Sequence, residues 1–255
     1  MDALRIERDD DVLRITLSRP ETRNAFDASL ITELAEAFVD IGKARAVILS
    51  GDGPSFCAGA DIDWMRASIE LSHDENVADA NALRRMLDAI DNCPAPVIAL
   101  VQGHALGGGA GLVATADIAI AHERAVFAFS EVKLGIIPAV ISPYVLRKIG
   151  ESAARRYFVT GERFDAAIAQ RMGLVHEVTQ DLGFALDAIL SELRTAAPRA
   201  TRHAKRLVLD HPDGPETAQR IAERRTSPEG QAGLHAFADR RLPPWVVETP
   251  TDPKE

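Results

Sequence analysis

Cysteine is nearly absent from this chain of 255 residues: Cys57 and Cys93 are the only two, and neither belongs to a C-x-x-C pair. Neither a disulfide framework nor a thiol-rich metal site has support, and a reducing cytoplasm is the expected setting. Basic charge is in deficit as well. The formal net charge is −9, so nucleic acid and anionic membrane should be repelled unless Lys and Arg are locally concentrated. A long apolar run is also missing. Met1 to Asp11 carries charges of both signs, so no signal peptide is expected there. Pro94 to Ala116 lacks Asp, Glu, Lys and Arg, yet it holds Gln102, His104 and five glycines. A buried strand, a glycine loop and the start of a buried helix explain it better than a membrane span.

Familiar catalytic signatures are equally scarce. Gly107-Gly108-Gly109-Ala110-Gly111 does not complete G-x-G-x-x-G, because Leu112 stands where the last glycine belongs, and no phosphate-binding G-x-x-x-x-G-K run occurs. Gly53-Pro54-Ser55-Phe56-Cys57 comes within one residue of a nucleophile elbow, but Cys57 replaces its closing glycine. The seven histidines are scattered without ligand spacing, so no metal is expected.

What the chain does hold is ample core material, with 46% hydrophobic and 26% charged residues, the balance of a globular protein. Leu4–Arg8 and Val12–Ser18 read as a hairpin around the acidic tip Asp9–Asp11. Asp27 caps a helix expected over Ser29–Lys43, with Leu30, Leu34, Phe38 and Ile41 at helical spacing. Strands are expected at Ala46–Leu49, Val97–Val101, Ile118–Ala121, Val126–Phe129 and Leu174–Val178, and helices at Asp74–Asn92 and Gly109–Thr115. From Asp181 onward the pattern is helical throughout. Strands alternating with helices imply an α/β fold with mainly parallel pairing. The expected organisation is a core over 1–185 and a helical region over 186–255.

Two loops carry the chemistry. Phe56-Cys57-Ala58-Gly59-Ala60-Asp61 follows the strand at Ala46–Leu49, and Gly103-His104-Ala105-Leu106-Gly107-Gly108-Gly109 follows the strand at Val97–Val101. Small residues allow a ligand close to the main chain, and free N–H groups at a helix start favour an anion or a developing oxyanion. The plain alternative is that the glycines only let a helix pack near a strand.

Phe56 to Ile62, Ala105 to Gly109 and Ser130-Glu131-Val132-Lys133-Leu134-Gly135-Ile136-Ile137-Pro138 resemble the crotonase (enoyl-CoA hydratase/isomerase) superfamily in order and spacing. The likeness continues through Thr160–Phe164, Gly173–Val175, Ser227–Gly230 and Ala236-Phe237, nearly the whole chain. The resemblance implies a spiral of β-β-α units, a C-terminal helical trimerisation region, a homotrimer or hexamer, and a coenzyme A thioester as substrate with no separate cofactor. It makes the N–H groups of Ala60 and Gly108 an oxyanion hole and Glu131 the acid/base group. It also puts Ala58, Ala60, Asp61 and Ile62 along the pantetheine and adenine path, and Phe237 with Arg240 at the nucleotide end.

One departure bears on mechanism. Two-carboxylate hydratases of this superfamily carry a first glutamate where this chain has Gly111, so Glu131 must act alone or be helped. Gly111 marks that position, Ser142 and Tyr144 are candidate helpers, and a carboxylate on the substrate is another. Asp61–Met65, Gly109–Ala114 and Pro138–Tyr144 are similar to a bacterial subgroup of methylglutaconyl-CoA hydratases. That closer likeness implies a branched acyl group with a distal carboxylate and a cation facing it, Arg66 and Lys133 being near the motifs. The leading expectation is hydration of a branched 2-enoyl-CoA. A Δ3-Δ2 enoyl-CoA isomerase and an acyl-CoA-binding protein without turnover are the alternatives.

Overall fold

The computed structural model describes residues 3–9 and 11–246, and the chain divides into two compact units, Met1–Leu186 and Asp187–Glu255. In chain order the first runs β1 (Leu4–Asp9), β2 (Val12–Leu17), α1 (Ala28–Ala37), β3 (Ala46–Gly51), α2 (Ile62–Ala67), α3 (His73–Asp91), β4 (Val97–Val101), β5 (His104–Leu106) and α4 (Gly108–Thr115). It continues with β6 (Ile118–His122), β7 (Val126–Ala128), α5 (Ser142–Thr160), β8 (Phe164–Asp165), α6 (Ala166–Met172) and β9 (Glu177–Thr179). Helix α7 (Leu182–Thr195) follows, and the second unit holds α8 (Pro198–Asp210), α9 (Gly214–Thr226) and α10 (Pro228–Ala238).

The expected hairpin forms, with β1 antiparallel to β2 and Ile6 opposite Ile15. Every later neighbour in the six-stranded sheet, ordered β1-β2-β3-β4-β6-β9, is parallel. Parallel neighbours need helical crossovers, which bury both faces and explain the nearly continuous apolar runs of β3 and β4. A second sheet is ordered β5-β7-β8, with β5 parallel and β8 antiparallel to β7. Ile15, Leu17, Leu30, Leu34, Leu49 and Leu87 are fully buried in one core.

Three expectations need correction. Helix α1 stops at Ala37, with Phe38 as its C-cap, although Phe38 and Ile41 are buried as their spacing required. The strand expected at Leu174–Val178 shrinks to Glu177–Thr179, because the N–H groups of Leu174 and Val175 both turn back to the Ala169 carbonyl to close α6. The residues from Ser142 to Thr160, given no element by the sequence pattern, form a helix bent at Gly150 (φ 68°, ψ 169°). The uncharged stretch from Pro94 resolves into β4, β5 and α4. Among the described residues no helix is long and apolar enough to cross a membrane.

Candidate active site

Asn24, fully buried, fixes the first loop: its Nδ2 donates to the carbonyls of Asp52 (2.9 Å) and Ser55 (2.8 Å), and its Oδ1 accepts from Arg19 N–H. From there the loops lie side by side. Phe26 forms a parallel bridge with Ala60, Cys57 one with Ala105, and β5 pairs in parallel with β7. The Phe26–Ala60 bridge is made by Phe26 N–H to Gly59 O and Asp61 N–H to Phe26 O, both 2.8 Å. Strand geometry therefore turns the N–H of Ala60 itself to the opposite side.

The glycine loop brings a second donor. Gly107 precedes α4 at φ 53°, a left-handed conformation that glycine adopts without strain, and its N–H donates to Ala128 O at 2.8 Å. Gly108 then opens α4, so its N–H is one of the four with no partner inside the helix. Among the described residues neither Ala60 N–H nor Gly108 N–H meets an acceptor.

Ala128 ends β7, and three residues on Glu131 begins a 3-10 turn over Glu131–Leu134 closed by Gly135 at φ 76°. A side chain at Gly107 would stand 3.3 Å from Glu131 Oε1, so the bare glycine leaves room for the carboxylate. Glu131 Oε2 is buried and has no hydrogen-bond partner. Burial pushes its pKa up, opposed only by a backbone hydrogen bond within the residue. An unpartnered buried carboxylate oxygen beside two free N–H groups is a costly arrangement for stability, and such groups gather where chemistry is done.

Two cavities meet at this point. The outer one, about 630 Å³, is lined by Ala58, Ile62, Ile69, Leu106 and Leu134; the inner one, about 280 Å³, by Phe26, Trp64, Asp79, Leu83, Ile137 and Ile141. Ala60, Gly108 and Glu131 line both. The arrangement suits an elongated molecule threaded past one carboxylate and two backbone donors.

Ala58, Ala60, Ile62, Gly108 and Glu131 thus come together as the sequence suggested. Asp61 does not line either cavity: its side chain caps α2 through the N–H groups of Asp63 and Trp64 and pairs with Arg19 at 3.6 Å. The candidate helpers are committed elsewhere. Gly111 is buried, and a Cβ there would meet Ile141 Cγ2 at 2.4 Å, so Ile141 fills the space of the missing carboxylate. Ser142 Oγ donates to Ala139 O, and Tyr144 O–H donates to Asp88 at 2.5 Å, with the phenol's pKa raised first by burial. Neither lines a cavity beside Glu131. Among the described residues no Lys or Arg lines the inner cavity, so the cation expected at the acyl end is not found there. Arg66 lines the outer one, 71% exposed and paired with Asp63, while Lys133 packs where a Gly161 side chain would be. Phe237, 85% exposed, and Arg240, at φ 55°, belong to the second unit.

Sequence reasoning missed the wall supplied by α2, the turn that follows it and α3: Trp64, Ser68, Asn76, Asp79 and Leu83. The spacing of Asn76, Asp79, Ala80 and Leu83 puts them on one helix face, a signal that was present. Ser55, of the broken nucleophile elbow, is 1% exposed with Oγ 3.3 Å from His104 Nδ1, so it is no accessible nucleophile. Burial pushes the Cys57 thiol up to about 12, which leaves it inert.

The family model for enoyl-CoA hydratase/isomerase matches residues 7–248. The chain belongs to the enoyl-CoA hydratase/isomerase family. Enoyl-CoA hydratase AKT6-1 of Alternaria alternata is 33% identical over 88% of this chain and 78% of that one. The crystal structure of an enoyl-CoA hydratase from Shewanella pealeana superposes with a TM-score of 0.92 at 41% identity, covering 96% of each chain. Pseudomonas aeruginosa AtuE gives 0.93 at 37% identity, over 96% of this chain and all of that one. The fold is crotonase-like, as the loop motifs implied, and the protein is an enzyme of this family.

Proposed function

We propose that the chain hydrates a short, branched 2-enoyl-CoA thioester, with Glu131 as its acid/base group. The observation that carries this reading is the buried, unpartnered Oε2 of Glu131 at the junction of two cavities that Ala60 and Gly108 also line. The thioester oxygen accepts from the N–H groups of Ala60 and Gly108. These stabilise the enolate as charge builds on that oxygen, each donor in such a hole being worth about 3 kcal/mol of barrier. Glu131 carboxylate takes a proton from water as the water oxygen bonds to C3. The same carboxyl then returns a proton to C2, restoring the thioester. The outer cavity takes the pantetheine arm, and the apolar wall of Phe26, Leu83, Ile137 and Ile141 takes a branched acyl chain.

A second reading is favoured by one specific contact. Because Ile141 occupies the space next to Gly111, no second carboxylate holds the water there. A lone Glu131 suffices to move a proton from C2 to C4 of a 3-enoyl thioester. The deciding experiment follows absorbance of the conjugated enoyl thioester: crotonyl-CoA should lose it as hydration proceeds. If crotonyl-CoA and branched 2-enoyl-CoA esters are left intact while a 3-enoyl-CoA gains the band, the isomerase reading replaces the first. Glu131→Gln should lower turnover by about 10²- to 10⁴-fold, the usual worth of a positioned acid/base group. CoA-ester binding should persist in that variant, and full activity in it would remove Glu131 from the mechanism.

A further inference from the structure

We propose that the inner cavity admits only an uncharged acyl end, and that Asp79 is the specificity residue that turns away a distal carboxylate. This rests on the proposed binding of an acyl-CoA past Glu131, and it narrows the substrate to neutral acyl thioesters. The polar groups of the inner wall are already sorted. Trp64 Nε1 donates to Asp79 Oδ1 at 3.3 Å, Ser68 Oγ donates to Met65 O at 2.7 Å, and Asn76 Nδ2 donates to the carbonyls of Leu71 and Ser72, both at 3.0 Å. Every side-chain donor of that wall is therefore spent on the protein itself. Acceptors remain, namely the other oxygen of half-buried Asp79, the amide oxygen of Asn76 and Oε2 of Glu131. Among the described residues no Lys or Arg lines the cavity, so once the thioester oxygen has taken the Ala60 and Gly108 N–H groups an acyl carboxylate would face two acidic side chains and no side-chain donor left over. A like charge placed against an unpaired charge in such a site is how proteins reject a near-isostere. A methyl group meets Leu83, Ile137 and Ile141 at no such cost.

Saturated thioesters separate binding from turnover. Butyryl-CoA and succinyl-CoA differ only in a terminal methyl against a carboxylate, and valeryl-CoA with glutaryl-CoA repeats the comparison one methylene deeper. Calorimetric titration of the unaltered protein should give an affinity for the neutral member at least about tenfold tighter in one or both pairs. Asp79→Asn keeps an amide oxygen for Trp64 and should narrow that gap to under about threefold. Asp79→Lys should invert the preference. Binding of the dicarboxylic esters within threefold of the neutral ones in both pairs would overturn the proposal, as would an undiminished gap in Asp79→Asn. Crotonyl-CoA turnover in the same preparation tests the hydratase reading separately: selectivity without turnover keeps the cavity assignment and removes the reaction.

Discussion

Glu131 concentrates the conflict between stability and use on a single side chain. Its pKa is raised by burial above the ordinary 4.5, so the folded state favours the protonated form relative to the unfolded chain. Below the unfolded value both states are protonated and the residue costs nothing. As pH rises through the folded value, ionising a buried and unpartnered oxygen withdraws that stability. Glu131→Gln should accordingly melt at the same temperature as the parent near about pH 4 and a few degrees higher near about pH 8, read by calorimetry. Activity runs the other way. As a base the group works only when ionised, so the acid limb of kcat/KM should lie above the usual carboxylate range and vanish in Glu131→Gln. Coincident melting temperatures at both pH values would mean that the carboxylate is solvated. Asp61 shows the opposite case: it stands beside the site motif, but its oxygens are spent on capping α2 and on Arg19.

At the scale of elements, α4 decides what chemistry the site can hold. Its first residue offers a free N–H only while its helix start stays close to the neighbouring loop, and a Cβ at Gly108 would meet the Phe26 ring at 2.3 Å. Gly108→Ala should push the donor off its line and cost about 10² or more in kcat. Phe26→Leu in the same chain should recover part of that loss, a rescue that generic unfolding would not show. One turn later, Gly111 is held against Ile141. Gly111→Glu should overpack the core, costing about 1–3 kcal/mol by thermal melt. Adding Ile141→Ala opens the space and should raise the ratio of hydration to isomerisation; an unchanged ratio would mean that the second carboxylate is not what is missing. Much of this was legible beforehand. The parallel strands and the two small-residue loops follow from apolar runs and glycine positions that local geometry requires, whereas Glu131 was singled out only by the resemblance to the crotonase superfamily. The commitments of Ser142, Tyr144 and Asp61, and the polar wall from α3, were not legible. They depend on which side chain lies opposite across 56 residues in the case of Tyr144 and Asp88, a pairing that no periodicity encodes. The bent helix at Ser142–Thr160 was hidden by Pro143 at its start and Gly150 within.

For the molecule as a whole, the acidic balance sets a condition on its substrate. A net charge of −9 opposes the pyrophosphate and 3′-phosphate of coenzyme A at long range, so any favourable electrostatics must be local. The sequence offers Arg202, Lys205, Arg206, Arg240 and Arg241 of the second unit as candidate cations for it. Several of these are already shared with neighbours: Arg206 pairs with Asp210, and Arg241 with Asp239 at 3.3 Å. Salt screens the long-range repulsion within roughly 8 Å at physiological ionic strength, while close, partly buried pairs are screened less. If the local cations hold the phosphates, KM for an enoyl-CoA should rise as ionic strength increases from about 0.02 to 0.5 M. The matching N-acetylcysteamine thioester, which keeps the reacting group and lacks every phosphate, should show no such rise. Arg240→Ala should flatten the salt dependence for the CoA ester while leaving kcat unchanged. A KM that falls with salt would mean that the global charge outweighs the local cluster, and the binding energy of coenzyme A would then have to come from the apolar walls of the two cavities beside Glu131.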